Sequence, residues 1–335
     1  NTLQVHDIDV TFSGSSSPSN SETFIITSEY AKFSDGAERR SIDGGAGVDT
    51  INASAAYDSD LIFDLSDGAG EIDGVTVSLA NIENLITSDG EDTLIGSDSD
   101  NTLMGGRGDD LLQGGAGADR LEGGAGSDTV SYANSRGSLR VDLEYAHINT
   151  NLAAGDSYSS IENLLGSQGF DNLRGTIGDN YIFGDRNVDY IFGRRGDDRL
   201  DGGIGDDVLL GGVGADALIG GEHRDRAQYS ESLTAVLVDL ADSARNTSEA
   251  AGDTFSGIED LAGSAFNDAL FGDEQDNRLF GREGDDELTG RAGDDYLNGG
   301  ANNDWLDGGE GDDVLRGGTH ADTFVFRYGH DLVED

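Results

Sequence analysis

A single apolar residue recurs at every ninth position along most of the chain, and polar residues flank it. The segment 105–113 reads Gly-Gly-Arg-Gly-Asp-Asp-Leu-Leu-Gln, and 114–122 and 123–131 repeat the pattern. The consensus is Gly-Gly-x-Gly-x-Asp followed by x-apolar-x, with the apolar residue at the eighth position. Such a triplet predicts a very short strand with one buried face, and the glycine-rich half predicts a turn. The pattern therefore predicts short strands joined by tight turns, with almost no helix.

The nonapeptides are grouped into three blocks. Five repeats fill 87–131, seven fill 166–228 and seven fill 263–325, while a lone copy lies at 44–52. A short fixed period of this kind indicates a solenoid, in which each repeat contacts its neighbours.

Spacers of 34 residues separate the blocks, at 53–86, 132–165 and 229–262. The last two share Val-Asp-Leu, Ala-Ala-Gly-Asp and Ile-Glu-x-Leu, whereas the first lacks Ala-Ala-Gly-Asp and ends in Ile-Glu-x-Leu. One spacer with seven nonapeptides makes a module of 97 residues, the distance from Tyr132 to Tyr229. Longer strands are expected in the spacers at 61–65, 139–143 and 235–240. The predicted segments are a connecting or edge segment at 1–43 and repeat domains at 44–131, 132–228 and 229–335.

The balance of charges is strongly acidic. The 335 residues include 67 aspartates and glutamates against 20 lysines and arginines, a net charge of −47, and no cysteine. This charge disfavours nucleic acid and anionic membrane surfaces, and the lack of cysteine excludes disulfides and thiolate zinc sites. No apolar run is long enough to span a membrane, and no signal peptide is visible at Asn1. Hard divalent cations prefer oxygen ligands, so composition favours such a cation as the partner.

The nonapeptide has the residues that a calcium loop needs. Glycines at the first, second and fourth positions are expected to adopt positive φ angles, so that a tight turn gathers its carbonyl oxygens. The sixth-position aspartate adds a carboxylate beside them. One buried apolar side chain per nine residues is too little to offset the entropy of ordering those residues. Two nonapeptides make one coil, so a cation between turns i and i+2 would supply the missing stabilisation.

The chain resembles the RTX proteins, whose hemolysin-type calcium-binding repeat has this nonapeptide as its signature. The resemblance is strong over 87–325 and weaker over 44–86. It implies an all-β, right-handed parallel β-roll with calcium between adjacent turns. It also implies export by a type I secretion system and an extracellular location. The spacers are similar to those in the C-terminal domains of serralysin-type proteases and in modules of bacterial mannuronan epimerases.

Carried over position by position, the resemblance makes the sixth-position aspartates the metal ligands. In the well-formed repeats these are Asp110, Asp119, Asp128, Asp189, Asp198, Asp207, Asp216, Asp225, Asp286, Asp295, Asp304, Asp313 and Asp322. In weaker repeats they are Asp49, Asp92, Asp171 and Asp268. The expected co-ligands are backbone carbonyls of fourth-position glycines, namely Gly108, Gly117, Gly126, Gly196, Gly205, Gly214, Gly284 and Gly293.

Some repeats depart from the pattern. The second unit of every block has asparagine at the sixth position, at Asn101, Asn180 and Asn277. An amide is a neutral, weaker ligand, so these units are expected to be structural rungs with little or no metal. The units at 184–192 and 220–228 lose glycines and are expected to cap their block. Calcium is therefore expected in the middle and late units, with the first block the least metal-rich.

The sequence predicts no catalytic residue and no other cofactor site. A periodic array of aspartates lacks the single asymmetric pocket that acid–base catalysis needs. The five histidines form no His-Glu-x-x-His motif, and the one lysine, Lys32, is not in a phosphate-binding loop. Tyr132 and Tyr229 are expected to pack among strands rather than against a sugar.

Three functions stay open. The first is a structural calcium-binding region that folds after secretion. The second is an extracellular polysaccharide-binding or adhesive module, which the epimerase resemblance suggests. The third is the C-terminal part of a secreted enzyme whose catalytic domain lies outside this chain.

Overall fold

Short parallel β-strands make up almost all of the structure. It is a computed structural model, and it describes residues 2–5, 12–13, 21–27, 40–56, 60–72, 75–327 and 329–334. The chain divides into two compact units, Asn1–Ser135 with Leu139–Leu165 and Arg136–Ser138 with Gly166–Asp335. Within the described ranges there is no α-helix, and hence no helix long and apolar enough to cross a membrane.

The strands of the first unit are two to six residues long. They are β1 (Thr2–Val5), β2 (Phe12–Ser13), β3 (Thr23–Thr27), β4 (Arg40–Asp43), β5 (Thr50–Ala55), β6 (Leu61–Asp64), β7 (Ala69–Ile72), β8 (Val75–Ala80), β9 (Asn84–Ile86), β10 (Thr93–Ile95), β11 (Thr102–Arg107), β12 (Leu111–Gln113), β13 (Arg120–Ala125), β14 (Thr129–Ser131), β15 (Arg140–Asp142), β16 (Ser157–Ser159) and β17 (Asn163–Leu165). Two single-turn 3-10 helices lie at Ala146–Ile148 and Asn151–Ala153.

The second unit has strands of three or six residues. They are β18 (Asn172–Arg174), β19 (Tyr181–Phe183), β20 (Tyr190–Arg195), β21 (Arg199–Ile204), β22 (Val208–Val213), β23 (Ala217–Glu222), β24 (Arg226–Gln228), β25 (Leu237–Asp239), β26 (Thr254–Ser256), β27 (Asp260–Ala262), β28 (Ala269–Phe271), β29 (Arg278–Glu283), β30 (Glu287–Ala292), β31 (Tyr296–Ala301), β32 (Trp305–Glu310), β33 (Val314–Thr319), β34 (Thr323–Val325) and β35 (Leu332–Glu334). Its 3-10 helices lie at Ser243–Arg245 and Ser248–Ala250.

Within the blocks, each strand pairs in parallel with the strand two repeats further along the chain, because two nonapeptides complete one coil. Leu103 lies beside Leu121 in the β11–β13 pair, and Leu200 lies beside Leu218 in the β21–β23 pair. Each glycine turn therefore stacks on the turn two repeats before it. This arrangement is a β-roll, and the predicted all-β fold class is confirmed.

The first unit contains two series of paired strands. One runs β1-β3-β5-β9-β11-β13-β16, and the other runs β2-β4-β8-β7-β6-β10-β12-β14-β17. The first spacer departs from the parallel pattern, because β6, β7 and β8 form an antiparallel meander.

The second unit contains three series. They run β18-β20-β22-β24-β27-β29-β31-β33-β35, β19-β21-β23-β26 and β25-β28-β30-β32-β34. The spacer strand β27 lies between β24 and β29. One sheet therefore passes without interruption from the repeats before this spacer to the repeats after it.

The eighth-position side chains form the core of each unit. At most 1% of the side chain is exposed at Leu94, Leu103, Leu112, Leu121, Val130, Leu173, Ile182, Ile191, Leu200, Leu209, Leu218, Ala227, Leu270, Leu279, Leu288, Leu297, Leu306 and Leu315. Phe324, in the last repeat, is half-buried. In the spacers, Leu164 pairs beside Val130 and Leu261 beside Ala227, so the same inward column continues.

Two expectations about strand length are wrong. Many repeat strands have six residues, because the chain stays extended through the first glycines of the next repeat. The spacer strands β6, β15 and β25 have only four, three and three residues. They end at Asp64, Asp142 and Asp239, and Oδ1 of each accepts the backbone N–H groups of the second and third residues after it. Such aspartate turns compete with a continuing strand.

The described parts of 1–43 extend the roll. Strand β1 pairs with β3, β3 with β5, and β4 with β8, all in parallel. His6 and Lys32 lie outside the described residues. The domain boundaries at 44, 132 and 229 stay predictions.

Candidate metal-binding columns

The glycine turn leaves room for one inward aspartate. A Cβ atom on Gly193, at the first position, would lie 2.6 Å from the carbonyl oxygen of Gly211 and closer still to Oδ2 of Asp198. Many residues at the second and fourth positions have positive φ angles, such as 119° at Gly106 and 114° at Gly108. The expectation of a positive φ at the first position is wrong, because that glycine is required for space. His223 and His320 replace fourth-position glycines at φ 91° and 89°.

The sixth-position aspartates are almost wholly buried. The exposed fraction is 2% or less at Asp49, Asp92, Asp110, Asp119, Asp128, Asp171, Asp189, Asp198, Asp207, Asp216, Asp225, Asp268, Asp286, Asp295, Asp304 and Asp313. Asp322, in the last repeat, is half-buried. All the predicted carboxylate ligands therefore lie in the turns, and all but Asp322 are shielded from solvent.

Hydrogen bonds join these aspartates into columns. The backbone N–H of Asp189 donates to Oδ1 of Asp207 at 2.7 Å, and that of Asp207 donates to Oδ1 of Asp225 at 2.8 Å. The same bond recurs between residues 18 apart along both units. We call each series of sixth-position residues linked in this way an aspartate column. In each column the bond uses one carboxylate oxygen, Oδ1.

The other carboxylate oxygen has no partner in most rungs. Buried Oδ2 atoms without a hydrogen bond belong to Asp49, Asp92, Asp110, Asp119, Asp128, Asp189, Asp198, Asp207, Asp216, Asp225, Asp286, Asp295, Asp304, Asp313 and Asp322. A buried carboxylate without a partner is strongly unfavourable. A divalent cation would supply both the countercharge and the missing partner, so these residues fit calcium.

Backbone carbonyls lie in the same turns. The carbonyl oxygens of Gly108 and Gly196 lie against Gly126 and Gly214, the fourth positions of the next stacked turns. The described residues contain no group of three or more acidic or histidine side chains arranged to hold a metal. A cation between turns would therefore take backbone oxygens as well as carboxylates, which is usual for calcium. The roles of the eight fourth-position carbonyls as co-ligands stay predictions.

A family model for the RTX calcium-binding nonapeptide repeat matches more than half of the chain. The chain belongs to the RTX calcium-binding repeat family. The matched residues are 41–59, 80–112, 95–130, 165–200, 192–226, 253–288, 271–306 and 298–333. No curated protein matches the chain. RTX nonapeptides bind calcium, so the cofactors are multiple Ca²⁺ ions.

The electrostatics of the RTX columns require a countercharge. Burial raises the pKa of Asp110, Asp198 and Asp225 to about 7, that of Asp295 to about 8 and that of Asp189 to about 9. Burial is the largest cause of each raised pKa, and the charges of neighbouring carboxylates contribute to the same values. At neutral pH, either protons or cations must therefore neutralise much of each column.

The metal-free RTX chain is expected to be more structured at pH 5.5 than at pH 7.5. The folded-state pKa values near 7 lie above the unfolded value of about 3.9, so the folded state binds more protons between these limits. Its stability therefore falls as pH rises from about 4 to about 7. Far-UV circular dichroism in metal-stripped buffers of equal ionic strength measures this. Equal or greater strand content at pH 7.5 would contradict the sign.

In several rungs of the RTX roll, the sixth-position side chain is hydrogen-bonded within its own turn. Oδ1 of Asn101, Asn180 and Asn277 accepts the N–H of the second residue of its own turn, at 2.6–2.7 Å. These are the units expected to hold little or no metal. Asp171 and Asp268 were expected as ligands, yet each accepts both the N–H and the hydroxyl of a second-position serine.

The spacers supply column residues that the sequence analysis missed. Oε2 of Glu83, Glu162 and Glu259 accepts the N–H of a sixth-position aspartate, at 2.7–2.9 Å. Asp156 and Asp253 do the same through Oδ1, at 3.0 and 2.9 Å. The sequence signal for these residues is the recurrence of Ile-Glu-x-Leu and Ala-Ala-Gly-Asp in the spacers.

A second ladder on the RTX turns was also missed. Fifth-position side chains such as Asp109, Asp197 and Asp294 are exposed, and their Oδ1 atoms accept N–H bonds of 2.8–2.9 Å from the turn 18 residues later. In this ladder the later turn donates the hydrogen bond to the earlier one, whereas in the aspartate columns the earlier turn donates to the later one. The Asp-Asp doublets of the sequence were its signal.

Proposed function

We propose that this chain is the calcium-dependent folding region of a secreted protein. It passes through a type I secretion system unfolded, binds calcium outside the cell and folds there. RTX repeats of this kind are typical of secreted proteins. The matched family is a calcium-binding repeat rather than a catalytic family, and the proposed role is structural.

The unpartnered carboxylate oxygens of the aspartate columns support this proposal most directly. Fifteen buried Oδ2 atoms lack a hydrogen bond among the described residues. Each turn that holds such an oxygen needs a countercharge before it can stack, so folding and calcium binding are one equilibrium. With a net charge of −47, the uncompensated chain also repels itself. Low calcium inside the cell therefore keeps the chain extended for export.

The calcium concentration at which the chain folds tests the proposal. We expect a midpoint of about 0.1–1 mM, the range of extracellular calcium modules. The measurement is far-UV circular dichroism of metal-stripped chain titrated with buffered calcium, with magnesium at equal concentrations as the control. A midpoint below about 1 µM, where intracellular sensors bind, would mean that the chain folds before export and would overturn the proposal.

A further inference from the structure

The aspartate columns continue through the spacers although the nonapeptide sequence does not. The N–H of Asp119 donates to Oδ1 of Asp156 at 3.0 Å, and the N–H of Asp216 donates to Oδ1 of Asp253 at 2.9 Å. The two spacer aspartates are 37 residues beyond their partners instead of 18. Each therefore occupies a rung of its column, with 3% exposure at Asp156 and none at Asp253.

These two rungs differ from the others at the second carboxylate oxygen. The hydroxyl of Tyr132 donates to Oδ2 of Asp156 at 2.6 Å, and that of Tyr229 donates to Oδ2 of Asp253 at 2.7 Å. Both tyrosines are 1% exposed. Neither aspartate is among those with an unpartnered Oδ2. A protein hydroxyl thus satisfies the oxygen that has no protein partner in the ordinary rungs.

An asparagine hydrogen bond near each tyrosine–aspartate pair also recurs in both spacers. In the first unit, Oδ1 of Asn149 accepts the N–H of Asp142 at 2.7 Å, and in the second unit Oδ1 of Asn246 accepts the N–H of Asp239 at 2.8 Å. These bonds close the part of each spacer that precedes the column aspartate, 142–149 and 239–246. Because the same construction occurs in both units, the tyrosine cap belongs to the module and is not an accident of one copy.

We infer that Asp156 and Asp253 form metal-free rungs, in which the tyrosine hydroxyl takes the role that calcium has elsewhere in the column. This inference rests on the proposed calcium function of the columns. Tyr132 and Tyr229 decide which rungs bind metal, because each phenol lies against the carboxylate oxygen that would face a cation. In the columns of Asp119 and Asp216, calcium is then confined to the turns that precede Asp156 and Asp253.

Native mass spectrometry of the full chain in calcium tests the assignment by counting bound ions. The comparison is Asp253→Asn against Asp207→Asn, an ordinary rung of the same unit. Asparagine keeps the Oδ1 acceptor in both variants and removes the negative charge. We expect Asp253→Asn to hold the wild-type number of calcium ions and Asp207→Asn to hold at least one fewer. An equal loss in the two variants overturns the assignment.

A second pair of variants covers the case in which Asp253→Asn fails to fold. Asp156→Asn makes the same measurement in the first unit, with Asp110→Asn as its ordinary rung. Tyr229→Phe frees the carboxylate oxygen of Asp253, so its calcium count is expected to equal or exceed the wild-type count, and a lower count overturns the assignment. A wild-type chain that binds no calcium overturns the proposed function itself, which is a distinguishable result.

Discussion

Removal of calcium by excess chelator at neutral pH is expected to convert the folded chain into an expanded one. The core has one buried apolar residue for each nonapeptide, and fifteen buried carboxylate oxygens lose their counterion together. An unfolded chain of 335 residues has a radius of gyration of about 65 Å. Small-angle scattering should give a value close to this in chelator, and far-UV circular dichroism should lose its strand signal.

In the control experiment, calcium or magnesium is added back to the chelated chain. Calcium should restore the smaller radius and the strand spectrum, whereas equal magnesium should not, because magnesium keeps its waters and demands strict octahedral geometry. If the chelated chain stays small and rich in strands, the columns do not depend on metal and the calcium-folding proposal fails.

Gly193→Ala is expected to destabilise the second unit severely. The added Cβ would lie 2.6 Å from the carbonyl oxygen of Gly211 and even closer to Oδ2 of Asp198. Neither group can give way easily, since one is backbone in the next rung and the other is a buried column carboxylate. Overpacking of this kind costs about 3 kcal/mol, the upper end of its usual range. Urea denaturation at fixed saturating calcium measures the change.

Gly178→Ala is the matched control, because it lies in the neighbouring turn of the same column. A Cβ there meets its nearest atom, Oγ1 of Thr176, only at 3.9 Å, and the residue has no positive φ angle. Alanine should therefore be neutral or stabilising by about 0.4–1 kcal/mol, through lower entropy of the unfolded chain. A similar loss of stability in both variants would show that first-position space is not what the turn requires.

Much of the fold follows from the nine-residue period. The eighth-position leucines are buried and the sixth-position aspartates line the turns, because every repeat has the same neighbours two repeats away. The antiparallel meander of the first spacer did not follow, since β7 pairs with β6 and β8 of the same spacer rather than with a repeat strand.

The partners of the second carboxylate oxygen were the least predictable part of the site. Whether an aspartate keeps a free oxygen depends on a neighbour that the period does not encode, such as Ser167 beside Asp171 or Tyr132 beside Asp156. The tyrosine is 24 residues from its aspartate, so the pair is visible only once the spacer loop has folded. Tyr132 and Tyr229 are buried, as expected of packing residues, but their hydroxyls are polar column partners as well.

The tyrosine-capped rungs also bear on how the repeats align. A stack of near-identical turns can shift by two repeats and still pair every strand, because leucine meets leucine and aspartate meets aspartate again. Asp253 accepts both the hydroxyl of Tyr229, 24 residues away, and the N–H of Asp216, 37 residues away, so a shifted stack cannot make both buried hydrogen bonds. The rungs of Asp156 and Asp253 therefore favour one strand register in an otherwise repetitive chain.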